Sequence, residues 1–99
     1  MIYAIDFDGT LCEDKYPEIG EPRPRGINTC KQLKGKGHTL ILWTCRSGEL
    51  LKTAVEWCKT HGIVFDYINS NTKENIVKHG GDTRKIYADV YIDDRSLKI

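Results

Sequence analysis

Proline is scarce in this chain and confined to one place: Pro17, Pro22 and Pro24 are the only three, so the rest of the sequence is free to form regular helices and strands. Charge of one sign is also lacking. Fifteen Lys and Arg face fourteen Asp and Glu, which excludes the global basic footprint of a nucleic-acid or anionic-membrane binder. No apolar run approaches the about 18 residues that a membrane span needs, and no basic-then-apolar leader is present. Cys12, Cys30, Cys45 and Cys58 form no C-x-x-C pair and have no histidine at zinc-ligand spacing. They are expected to be reduced, mostly packing cysteines of a cytoplasmic protein. Repeats and low-complexity segments are absent, and 99 residues suffice for a single domain, 1–99.

What is present is an alternation of strand and helix patterns, the signature of parallel βαβ units. A first strand, Ile2 to Ile5, precedes an ordered loop over residues 11 to 24 that contains all the proline. Ile27, Cys30 and Leu33 recur on one face of a helix from about Pro24 to Lys34, with Gly35 and Gly37 as its stop. A second strand covers Thr39 to Trp43, a continuous apolar run of the kind buried on both faces in a parallel sheet. The next helix, about Gly48 to His61, has Leu51, Ala54, Val55 and Cys58 on one face, Ser47 as its N-cap and Gly62 as its stop. A third strand is expected over Ile63 to Ile68, a short helix capped by Asn71 or Thr72 and ending near His79, and a fourth strand over Ile86 to Ile92. His38, His61 and His79 fall at element ends, where solvated or capping roles are expected.

The chemistry sits where strands end. The first strand runs into Asp6-Phe7-Asp8-Gly9-Thr10 and the last into Asp93-Asp94. If the two lie parallel and adjacent, four carboxylates emerge at one carboxyl edge, where open α/β sheets place their ligands. Two unit charges about 4 Å apart repel by roughly 4 kcal/mol at a protein-like dielectric, so such a cluster must recruit metal, lysine or protons. Mg²⁺ and a phosphorylated substrate are the expected companions.

Asp-x-Asp-Gly-Thr after the first strand, Thr44 after the second, Lys85 eight residues before Asp93, and Asp93-Asp94 after the last together resemble the haloacid dehalogenase superfamily of phosphohydrolases, over the whole chain. The run Ala88 to Arg95 looks most like its small capless members. The resemblance implies an α/β, Rossmann-like three-layer αβα sandwich with a mostly parallel sheet in strand order 3-2-1-4, and a Mg²⁺-dependent phosphatase. Asp6 would be the nucleophile that forms an aspartyl-phosphate, and Asp8 the general acid/base, its main-chain carbonyl also on the metal. The amides of Gly9 and Thr10 would point at phosphate oxygens, joined by the Thr44 hydroxyl and the Lys85 ammonium. Cys45 and Arg46, next to Thr44, are further candidates for substrate contact. Asp6, Asp8, Asp94 and Asp93 would surround the metal, Asp94 directly and Asp93 in an outer role.

Lys73 and Lys78 compete with Lys85, since all three lie between the third and fourth strands. Arg95 is expected to pair with its acidic neighbours. Neither the segment 11 to 24 nor the helix after the third strand can hold a cap domain. An extended phosphoester, or a second copy of the chain closing over a small one, is therefore expected to cover the site. Two rivals share parts of the pattern: a phosphoryl-signalling receiver domain, whose acidic pair follows its first strand and whose phosphorylated Asp follows its third, and a non-catalytic phosphate-binding module.

Overall fold

In the computed structural model, residues 1–97 and 99 are described. Four strands, β1 (Ile2–Ile5), β4 (Thr39–Leu42), β5 (Tyr67–Ile68) and β6 (Val90–Ile92), make an all-parallel sheet in the order β5-β4-β1-β6. Three helices connect or follow them: α1 (Pro24–Gly35), α2 (Gly48–Thr60) and α3 (Lys73–His79). Among the described residues no helix is long and apolar enough to cross a membrane.

The continuous apolar runs of β1 and β4 are buried on both sides because alternate residues serve different cores. Ile5, Leu40 and Leu42 pack with Ile27 and Cys30 of α1 and Ala54 and Cys58 of α2. Ala4 and Ile41 face the other way, onto Ile86 and Ala88. That second face is covered by the segment leading into β6 and not by a helical stripe, since α3 buries none of its residues. Burial pushes the Cys30 thiol up to about 11 and the Cys58 thiol up to about 12, so both stay neutral and act as packing groups. The helix ends follow the expected chemistry in part. Thr72 caps α3 by accepting from the Asn75 amide, whereas Ser47 occupies the N-cap of α2 with no side-chain bond.

Three expectations need correction. Residues 11 to 24 are not a loop: β2 (Cys12–Lys15) and β3 (Glu18–Pro22) form an antiparallel hairpin. The prolines are compatible with it because Pro17 lies in the two-residue turn and Pro22 at a strand end, where no ladder donor is needed. Gly20 lets the strands close up, since a Cβ there would stand 2.3 Å from the Glu13 carbonyl oxygen. The third main strand shrinks to Tyr67–Ile68, and the fourth to Val90–Ile92. Ile63 and Ile86 are buried, but as packing residues beside the sheet and not as parts of it.

Candidate active site

Parallel register builds the site. Ile5 pairs with Leu42 on one side and Ile92 on the other, so all three strands end level. The Asp6 amide donates to Ile92 O at 3.0 Å and the Trp43 amide to Ile5 O at 2.9 Å. The next residues out are Asp6, Thr44 and Asp93-Asp94, and they share one cavity of about 470 Å³. One carboxylate oxygen from each of Asp6, Asp93 and Asp94 lies within 4.8 Å of the others.

The crowding is felt most by Asp6. Burial first, then the adjoining Asp94 carboxyl and the charge of Asp93, push its pKa up to about 7, against the pull of the Thr10 hydroxyl and the Phe7 amide. The Thr10 hydroxyl donates to Asp6 Oδ2 at 3.1 Å. Phe7 is fully buried, and its carbonyl accepts from the Thr10 and Leu11 amides, which folds Asp8 and Gly9 into a tight turn. Gly9 is required at the apex twice over: its φ is +87°, and a Cβ would stand 2.1 Å from Asp94 Oδ2. The turn therefore leans directly on the acidic pair.

Several expected roles do not fit this geometry. The Gly9 amide is spent on Cys12 O at 2.8 Å and the Thr10 amide on Phe7 O, so neither is free for a phosphate oxygen. Asp8 lines the cavity but stays out of the three-carboxylate cluster, because Arg46 takes both its oxygens, Nε to Oδ2 at 2.9 Å and Nη2 to Oδ1 at 2.8 Å. So held, Asp8 has both carboxylate oxygens committed to Arg46. Arg46 is 1% exposed and contacts no substrate space. It donates also to Pro17 O and Glu18 O, and its guanidinium lies between the rings of Phe7 and Tyr16 at 5.1 and 5.2 Å. Arg46 thus ties the Asp8 turn to the tip of the β2-β3 hairpin. Lys85 is exposed and lines a separate cavity with His79, Thr83 and Tyr87, and no lysine among the described residues lines the acidic one.

Thr44 and Cys45 do line the acidic cavity. Their loop is held by Asn69, a residue the sequence pattern did not single out. Its backbone is left-handed, φ 51°, its Oδ1 accepts from the Thr44 amide at 2.8 Å, and its Nδ2 donates to Arg46 O at 3.2 Å. The Arg46 amide donates to Thr44 Oγ1 at 3.2 Å, which leaves the hydroxyl hydrogen free to be given elsewhere. An asparagine just past a strand, one of the non-glycine residue types that best tolerate a positive φ, was the available signal. Across the cavity, Arg95 Nε lies 3.8 Å from Asp94 Oδ2 and Arg95 Nη2 lies 3.5 Å from Asp14 Oδ2, so the strand-end loop meets the hairpin. The Arg95 amide also donates to Asp93 Oδ1 at 2.8 Å.

No protein-family model matches this chain, and no curated protein matches it. Among solved structures, a conserved protein from Bacteroides thetaiotaomicron is similar, with 46% identity and a TM-score of 0.86 over 98% of this chain and 78% of its own.

Proposed function

The chain belongs to the family of that conserved Bacteroides thetaiotaomicron protein, and from the chemistry of its own residues we propose that it is a capless, Rossmann-like phosphomonoester hydrolase of the haloacid dehalogenase type that uses Mg²⁺. The observation that carries the proposal is the meeting of Asp6, Asp93 and Asp94 within 4.8 Å at the carboxyl edge of a parallel sheet, beside a threonine hydroxyl. Three carboxylates so close are a hard-oxygen donor set that suits Mg²⁺, and burial together with the neighbouring Asp94 and Asp93 holds the Asp6 pKa up. Bound there, Mg²⁺ would neutralise the carboxylates and the phosphoryl oxygens.

The chain's own residues would do the rest. An Asp6 oxygen attacks phosphorus, the bond to the leaving oxygen breaks with its electron pair, and water then hydrolyses the aspartyl-phosphate. The Thr44 hydroxyl donates to a phosphoryl oxygen, in a place fixed by Asn69. Asp8 stands as the acid/base of this reading, a role that requires its carboxylate to part from Arg46. The lysine role passes from Lys85 to Lys73, which opens α3 four residues after Asn69, at the same sheet edge as Thr44. Lys73→Met should cost at least tenfold in kcat/KM and Lys85→Met less than twofold, on the order expected for one charge lost at or away from the transferring group. The reverse ranking restores Lys85.

Metal binding gives the direct test of the cluster. Below about pH 7 the metal-free Asp6 holds a proton that a cation must displace. Apparent Mg²⁺ affinity, read by calorimetry, should therefore fall up to about tenfold per pH unit below 7 and level off above it. The same shift makes the metal-free protein less stable as pH rises from about 4 to 7, because the folded state binds the extra proton in that window and both states have lost it above. Saturating Mg²⁺ should remove that slope. A pH-independent affinity, or hydrolysis of an aryl phosphate unaffected by EDTA, contradicts the proposal.

A further inference from the structure

We infer that the site selects phosphomonoesters whose leaving group carries a planar, uncharged aromatic ring, of the nucleoside 5′-monophosphate type, with Tyr16 as the surface on which that ring stacks. This rests on the hydrolase reading of the same site and adds the substrate class to it. Tyr16 is 56% exposed, although it is a large aromatic residue at the tip of a hairpin, and it lines the same cavity as Asp6, Thr44 and the acidic pair. It is nevertheless held from within. One side of its ring rests on the Arg46 guanidinium at 5.2 Å, and that guanidinium is fixed by four hydrogen bonds, two to Asp8 and one each to Pro17 O and Glu18 O. A cation beneath a ring anchors it at little entropic cost, because Tyr has only two side-chain torsions to lose. The rest of the ring is left to border the cavity.

The charge of the cavity narrows what can lie on it. Asp6, Asp8, Asp14, Asp93 and Asp94 line it against Arg95 as the one lining cation. A single phosphate can be accommodated with Mg²⁺, but a leaving group with further anionic groups meets five carboxylates against the single Arg95. A neutral base does not. Its polar edge would find both an acceptor and a donor at the mouth, where Asp14 and Arg95 stand 3.5 Å apart. The cavity volume, about 470 Å³, falls in the range that encloses small-molecule ligands.

Adenosine 5′-monophosphate and ribose 5-phosphate separate this from general phosphate recognition, because they share the reacting ester and sugar and differ by the base alone. Binding to Asp6→Asn protein with Mg²⁺, measured by calorimetry, reads recognition without turnover. Adenosine 5′-monophosphate should bind about tenfold tighter or more, the scale of one base stacked on one aromatic residue. Adding Tyr16→Leu should bring the ratio near one, and Tyr16→Phe should keep it, with circular dichroism showing both variants folded. Equal affinities, failure of both to bind at millimolar concentration, or a ratio that Tyr16→Leu leaves in place overturns the inference. A preference for the nucleotide in a protein whose wild type hydrolyses neither compound upholds the inference and fells the hydrolase reading.

Discussion

Asp6→Asn should lower Mg²⁺-dependent hydrolysis of an aryl phosphate by roughly 10⁴-fold or more, the scale on which loss of a covalent nucleophile is felt. The substitution keeps size and shape but removes the oxygen that would attack. Every other part of the site keeps its support: Asp6 is placed by its amide bond to Ile92 O, which asparagine retains, and Thr44 is held by Asn69. A stability readout separates lost chemistry from lost structure. Asp6 carries a carboxyl pushed up to about 7 by burial and by Asp94 and Asp93, so above that pH the metal-free wild type folds against its own charge. Asp6→Asn removes that charge and should raise the metal-free melting temperature at pH 8. Retained turnover in a preparation free of other phosphatases would remove Asp6 from the nucleophile role. A lowered melting temperature would instead show that the acidic cluster is not under repulsion.

Arg46→Met should destabilise the fold by about 3 kcal/mol, the low end of the cost of stripping one partner from a buried ion pair, because Asp8 retains 17% side-chain exposure. Arg46 is itself 1% exposed. Its loss strands the Asp8 carboxylate and leaves the Pro17 and Glu18 carbonyls without their donor. For a domain near 100 residues, about 3 kcal/mol corresponds to a fall of roughly 12–24 °C in melting temperature. Arg46→Lys keeps the charge but not the fork that reaches two Asp8 oxygens and two carbonyls, so most of the loss should remain. Asp8→Asn combined with Arg46→Met should recover part of it, which a double-mutant cycle reads directly. A change under about 1 kcal/mol for Arg46→Met would mean that the hairpin is held by its own ladder and that this ion pair is dispensable.

The residues that bear the proposed chemistry were legible because each stands at the end of a strongly patterned strand. The apolar runs 2–5 and 39–43 read as parallel strands, and the structure forms them over Ile2–Ile5 and Thr39–Leu42. Their ends, and that of the last strand, carry Asp6, Thr44 and Asp93-Asp94 to one edge, as parallel register demands. What pattern could not supply was pairing over distance. Arg46 finds Asp8 across 38 positions, and nothing local distinguishes a buried guanidinium from one that covers the surface. The hairpin was hidden by its prolines, whose positions relative to the ladder decide whether they break it. Gly9 and Thr10 illustrate a subtler loss: their amides were expected to face phosphate, and the turn they form consumes both. Lys85 was chosen by its distance in sequence from Asp93, and the segment between α3 and β6 takes it to another cavity.

The central claim is that Asp6 becomes phosphorylated during turnover and is then freed by water. Wild-type protein quenched in acid during hydrolysis, treated with borohydride and digested, reads this at one residue, because reduction of an aspartyl-phosphate leaves homoserine in its place. The expected result is homoserine at position 6 alone, dependent on Mg²⁺ and gone once substrate is exhausted, as rapid hydrolysis requires and stable phosphoryl storage would not allow. Active protein with no modification at position 6, or with the modification at Asp8, Asp93 or Asp94 instead, would contradict it.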